Sequence, residues 1–286
     1  MSAQFLIIQI LNGISLAGLL FFLASGLTLI FGLMRILNLA HGGFYLLGGY
    51  IGLTTTAATG NFWLGMAAAG LSIAVLGVVT ERFLLRRLRG QGLPEVLLTI
   101  GLATILGDLA LGIWGGDPQS IDPPAYLSGS VELGAVTYPV FRLFVTILAI
   151  LVGAGLYYLQ QRTRIGAIIR AGVDDRETIA ALGINIQRVF TGVFILGALL
   201  AGVAGVIGGA FLGLVPGADT EILLMCLVVV IIGGLGSLPG AAVGSLIVGM
   251  ASVLGTAEVP QLASFIIFAP MALVLIFRPT GLFGRR

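Results

Sequence analysis

Residues 161–188 read QRTRIGAIIRAGVDDRETIAALGINIQR, a polar stretch set between two long apolar runs. It carries five arginines (Arg162, Arg164, Arg170, Arg176, Arg188) and three acids (Asp174, Asp175, Glu177). Groups that must hydrogen-bond to water find no partner in hydrocarbon, so this stretch lies outside a bilayer that its flanks enter. Outward from it the chain is oily. Charged residues make up 9% of the chain, against roughly 25% in a soluble domain. Hydrophobic residues make up 58%, and the mean hydropathy is +1.13. Apolar runs near the ~20 residues needed to cross hydrocarbon recur along the whole length. The fold class is all-α, a polytopic membrane protein, taken as a single transmembrane domain over residues 1–286.

The runs fall in order. Residues 6–33 suit a short interfacial turn plus a span, and 39–59, rich in glycine, a second. Asn61 turns the chain into a third span at 62–79, which ends in the charge patch Glu81, Arg82, Arg86, Arg87 and Arg89. Pro94, with Glu95 beside the positive end of the helix dipole, starts a fourth span to about residue 114. A polar, proline-bearing loop at 115–139 holds Asp117, Asp122 and Glu132. Spans at 140–159 and 189–214 flank the opening stretch, and 216–221 is a short acidic turn. Residues 222–255 hold two short spans broken by GGLGSLPG, which either cross as a pair or form a re-entrant hairpin. With a last span at 262–277, the expected total is about eight transmembrane helices including one glycine-broken or re-entrant element. MSAQF lacks a basic leader region, so the first run reads as a retained helix. Alternating sides collects 13 of the 14 arginines on one face, with Arg142 near the other. Short arginine-rich loops face the cytoplasm, which places the N-terminus and the 115–139 loop outside and the C-terminus inside.

Absences limit the chemistry. All 14 basic residues are arginine, and without lysine there is no phosphate-cradling GxxxxGK[ST] loop, so ATP hydrolysis must come from a partner. His41 is the single histidine, which excludes HExxH zinc sites. No cofactor or metal is expected, and no enzyme activity. A Ser237–His41 hydrolase requires those two side chains within hydrogen-bond reach. Cys226, the one cysteine, can make no intrachain disulfide. Asp108 is the chief ionisable residue within the spans, and intramembrane acids are functional candidates by default. An ion-coupled secondary transporter acting alone therefore stands as the alternative to a partner-driven one.

Two glycine-broken elements, NLAHGGFYLLGGY at 38–50 and IIGGLGSLPGAAVG at 231–244, fall in opposite halves of the chain. Transporters often place interrupted helices there, along the solute pathway. The candidate pathway residues are Asn38, His41, Gly42, Gly233, Gly234 and Ser237. The plainer reading is that the glycines permit close crossings and Asn38 caps the second helix. Gly197, Ala201, Gly205, Gly209 and Gly213 recur every four residues as a small-residue stripe, which suits helix contact within the subunit. In the opening stretch, Asp174 and Glu177 make a capping-box pair and Gly183 a matching stop. They bound a helix at about 175–182, with Ile179 and Leu182 as an apolar edge to dock.

These residues resemble the permease subunits of ABC importers. Glu177 and Gly183 keep the spacing of the EAA loop that contacts the ATPase. Thr178 and Ile179 stand where the general motif has two alanines, and the downstream Ile-x-Leu-Pro is absent. Five stretches are similar to the branched-chain amino-acid type of permease: NLAHGGFYLLGGY, RTRIGAIIRA at 162–171, AALGIN at 180–185, GGLGSLPGAAVG and RPTGLFG at 278–284. The resemblance implies a heteromeric importer in the inner membrane. Its members are this subunit, a second homologous permease, two cytoplasmic ATP-binding subunits and an extracytoplasmic solute-binding protein. It further implies branched-chain amino acids, urea, amides or aromatic acids as solutes. ATPase coupling is carried over onto Arg170, Asp174, Glu177 and Gly183, joined by the apolar edge Ile179 and Leu182.

Overall fold

The computed structural model describes residues 3–134, 136–174 and 183–284. Side chains are described for the same residues except 173, 174, 263 and 264. Ten helices and one hairpin make up the described chain. They are α1 (Ala3–Met34), α2 (His41–Thr59), α3 (Phe62–Val79), α4 (Gly92–Trp114), α5 (Val140–Arg162), α6 (Arg164–Asp174), α7 (Ile186–Phe211), α8 (Ala218–Gly233), α9 (Leu238–Glu258) and α10 (Ala263–Phe277), with strands β1 (Ser130–Leu133) and β2 (Val136–Pro139) between α4 and α5. Six helical stretches are long and apolar enough to cross a membrane: α1, α3 with its continuation to Leu88, α4, α5, α7 and α9. Helices α2, α8 and α10 are shorter or less apolar.

The first run is one helix of 32 residues, about 48 Å at 1.5 Å per residue, not a turn plus a span. Nothing in it breaks the backbone ladder, and its middle is held on every side. The most apolar window of α1 is 83% buried, against 17% in α4 and 22% in α5. Helices α1 and α7 are thus the frame: α1 packs on α9, α7, α5 and α8, and α7 on α1, α2 and α3.

Small residues make this frame possible, because helix backbones in lipid gain from close approach rather than from a hydrophobic effect. A methyl group built at Gly26 of α1 would lie 2.8 Å from Gly197 O of α7. One built at Gly48 of α2 would lie 2.5 Å from Gly202 Cα. Gly205 faces Tyr45 O and Gly49 N, and Gly209 faces Ile121 and Leu214. The stripe on α7 is therefore intramolecular contact.

The break at 234–237 separates two helices, α8 and α9. It packs on α1, where Gly236 meets Gly32, and Ser237 caps α9 by accepting from Gly240 N at 3.1 Å. The tail returns to the same turn. Leu282 N and Phe283 N donate to Ile232 O and Gly233 O, both at 2.9 Å. These bonds satisfy carbonyls that the end of a helix leaves free, so the stretches 233–244 and 278–284 form one closure.

The all-α expectation misses one feature of the 115–139 loop. Strands β1 and β2 pair antiparallel, with Ser130 opposite Pro139 and Leu133 opposite Val136. Alternation explains it: Val136 and Tyr138 are buried while Thr137 and Pro139 are exposed, and Gly134 (φ +63°) opens the turn. Tyr138 OH lies 3.0 Å from Ser15 Oγ of α1, pinning the hairpin to the helix frame.

Gly205→Val is expected to destabilise the fold by about 1–3 kcal/mol, because the added atoms overlap backbone that cannot yield. A lowered unfolding midpoint in detergent, with Gly192→Ala as an exposed control on the same helix, checks it.

Candidate functional site

Two polar arrangements stand out inside this oily fold. The first lies where α2 begins. After Met34 the chain reverses at Arg35 (φ +54°), the one non-glycine residue with positive φ among those described. It then runs back along α1 without helix to His41. His41 Nε2 donates to Leu23 O at 3.1 Å, eleven residues or about 16 Å before the end of α1. Helix α2 therefore starts deep within the helix assembly. Its N-cap, Ala40, offers no side-chain acceptor. His41 N donates to Asn38 O, and Phe44 N to Ala40 O. Among the described residues the N–H groups of Gly42 and Gly43 have no such partner.

Asn38 does not cap the helix. Its amide nitrogen and oxygen are buried with no hydrogen bond among the described residues, as is His41 Nδ1. Buried unsatisfied groups cost about 1–3 kcal/mol each, so they mark a place where a stability rule is broken. Helix α8 starts at the same place. A methyl at Gly42 would collide with Asp219 O, and one at Gly107 of α4 would lie 3.8 Å from Asp219 Oδ2. Asp219 is 8% exposed, and no hydrogen bond reaches its carboxylate among the described residues. The acidic turn at 216–221 thus reaches in against α2 and α4. Two helix starts, which carry partial positive charge, meet here with an amide, an imidazole and a carboxylate.

Of the six candidate pathway residues, the structure gathers Asn38, His41 and Gly42 at this point. It sets Gly233, Gly234 and Ser237 apart, at the closure against Gly32 and the tail. Gly32 is six residues along α1 from Gly26, whose neighbour is His41, about 9 Å of rise. Ser237 and His41 are engaged elsewhere, with Gly240 N and Leu23 O, and make no pair. Among the described residues no cluster of His, Cys, Asp and Glu could hold a metal ion.

The second arrangement is at the end of the fold that holds the charge patch. Beyond Val79 helix α3 passes into a π-helical turn, Thr80–Leu85. The wider turn carries Glu81, with no exposed surface, toward α7. Arg89 Nη2 pairs with Glu81 Oε1 at 2.9 Å. Thr191 Oγ1 donates to Glu81 Oε2 at 2.7 Å, and Arg89 Nη1 to Gln187 Oε1 at 2.7 Å. The guanidinium sits 4.4 Å above the ring of Phe190. Close by, Glu95 is buried and accepts from Gly90 N at 2.7 Å. In the sequence these residues read only as a charge patch that ends the third span. The signal for burial was Glu81 following the apolar run directly, before the first arginine.

The expected coupling helix at 175–182, with Glu177, Ile179 and Leu182, lies outside the described residues. On its near side α6 ends at Asp174, and Arg170 Nη1 donates to Gln160 O. On its far side Gly183 has φ +78°, and Asn185 caps α7 by accepting from Arg188 N. Helix α7 begins at Ile186, one residue before Gln187, so residues 183–186 lead directly into the Glu81 network.

Six helical stretches long and apolar enough for crossings define a multi-pass membrane protein. The chain belongs to the family described as the branched-chain amino acid transport system / permease component, whose model matches residues 9–275. It is 30% identical to the high-affinity branched-chain amino acid transport system permease protein BraD of Pseudomonas aeruginosa, over 97% of this chain and 95% of that protein. It is 30% identical to the permease protein LivH of the corresponding system of Escherichia coli, over 100% and 98%. To the Escherichia coli permease protein LivM it is 26% identical, over 91% of this chain and 66% of that protein. No solved structure matches the chain. Members of such a family are multi-pass proteins of the inner membrane and are permease subunits of multi-subunit transporters.

Glu81→Ala takes the carboxylate from beside the half-buried Arg89 and is expected to cost about 3 kcal/mol. Glu81→Gln, which keeps the hydrogen bonds to Thr191 and Gln187, is expected to cost less. Thermal unfolding of the purified protein in detergent ranks the two.

Proposed function

We propose that this chain is the permease subunit of an ATP-driven importer for branched-chain or related amino acids, with urea and short amides as further small polar solutes. It acts as a single transmembrane unit that supplies half of the pathway. A second homologous permease supplies the other half, two cytoplasmic ATP-binding subunits supply energy, and an extracytoplasmic binding protein delivers the solute. The single observation that carries this reading is the family match along nearly the whole chain. The placement of 13 of 14 arginines toward one end supports an orientation with the N-terminus outside and the C-terminus in the cytoplasm.

Coupling runs through residues 162–188, with Asp174 through Gly183 as the part that meets the ATPase. Movement received there reaches α7 at once, because the segment continues into Asn185 and Gln187. Through Glu81 and Arg89 it reaches α3, and through the packing of α7 on α2 it reaches the buried start of α2. Two arrangements of these helices, selected by ATP on the partner subunits, expose that point to one side and then the other.

Glu177→Lys, which reverses charge at the coupling segment, is expected to abolish ATP-driven uptake of radiolabelled leucine in membrane vesicles while the subunit still inserts at normal level. Gly183→Pro is expected to do the same. Undiminished uptake by both variants contradicts the coupling assignment.

A further inference from the structure

Resting on the reading above, the geometry points to the face of the subunit that meets the second permease. We propose that the face made by α4 and the first turn of α8 is covered by that second permease, and that Asp108 and Glu221 line a water-filled seam between the two.

The exposed surface divides by chemistry. Helix α5 exposes Ile147, Ile150 and Leu151, and α10 exposes Phe265, Phe268 and Leu273. Through the middle of both helices these faces are apolar and need only lipid. Helix α4 is the least buried of the long helices, yet its exposed face is mixed, with Thr104 and Asp108 set among Ile105 and Leu109. Across the start of α2, α8 exposes Thr220 and Glu221.

Asp108 is six residues from the end of a 23-residue helix, about 9 Å of rise. In a helix about 34 Å long spanning a core of about 30 Å, that is several ångströms inside hydrocarbon. A short aspartate side chain cannot reach the interface from there. The first turn of α8 is at the same level, since Asp219 Oδ2 faces Gly107. No hydrogen bond or ion pair reaches Asp108 or Glu221 among the described residues. An acidic side chain in this position faces a bundle interior or a water-filled cavity, not lipid.

A lipid face is therefore excluded by the unpartnered carboxyl groups, and the face needs protein and water. The occupant that fits is a related permease, which brings a comparable helical surface. Between the two faces, the buried starts of α2 and α8 lie directly behind Asp108 and Glu221. This places Asn38, His41 and Asp219 one layer behind the seam.

The test uses the whole transporter with single cysteines at Asp108, Thr104, Glu221 and Thr220, and with Ile150→Cys as the lipid-facing reference. Native Cys226 is fully buried. A charged, membrane-impermeant methanethiosulfonate is expected to modify the first four at least ten-fold faster than Ile150→Cys. The threonine pair keeps the test valid where loss of a carboxylate impairs folding. In parallel, benzoylphenylalanine at Ile105 or Leu109 is expected to photo-crosslink to the second permease, and at Ile150 it is not. Labelling of all four at the rate of Ile150→Cys, or crosslinks from Ile105 and Leu109 to lipid alone, overturns the proposal. Either result in a preparation that retains its ATPases leaves the importer reading intact, so the two failures are distinguishable.

Discussion

A polypeptide in hydrocarbon must satisfy its own backbone, and this constraint governs where the chain is allowed to break. The turn between α8 and α9 obeys it by borrowing from the tail, whose Leu282 and Phe283 amides bond to the last carbonyls of α8. Helix α7 obeys it with Asn185 at its start, and α3 with Asn61, which accepts from Trp63 N and Leu64 N. The start of α2 does not obey it. Among the described residues Gly42 and Gly43 lack acceptors, and Asn38 and His41 Nδ1 lack partners. Helices α4, α8 and α10 also start without a side-chain cap; the exception at α2 differs in that Asn38 and His41 are both fully buried.

Rigidity around that exception comes from glycine. Contacts of α7 with α1 and α2 at backbone distance give a frame with few side chains to rearrange. A frame of this kind moves by small displacements of whole helices rather than by repacking. The bonds of Thr191 to Glu81 and of Arg89 to Gln187 fix the end of α3 to α7 where residues 183–188 lead into that helix. A π-helical turn is what brings Glu81 to face α7, which fits the frequent occurrence of such turns at functional sites.

Much of this was legible from periodicity and punctuation. The spans at 62–79, 140–159 and 262–277 correspond to helices within a few residues, because Asn61, Pro139 and the polar flanks set their ends. The small-residue stripe on α7 declared its packing role through its four-residue spacing. What escaped depends on depth and distance in space. Nothing local shows that 35–40 runs back along α1, or that the acidic turn at Asp219 reaches Gly42, sequence-distant by more than half the chain. Glu81 read as one member of a charge patch, and only its place directly after the apolar run hinted at burial. The hairpin in the 115–139 loop was hidden by its prolines and by only four residues in each strand.

The central claim is that energy enters this subunit from ATPases bound at its arginine-rich end. Purification of the tagged chain from its native membranes in mild detergent tests this directly. The account predicts that two ATP-binding subunits and a second permease co-purify in stoichiometric amount. Recovery of the chain alone, from membranes whose uptake collapses with the proton gradient and persists without ATP, would contradict it.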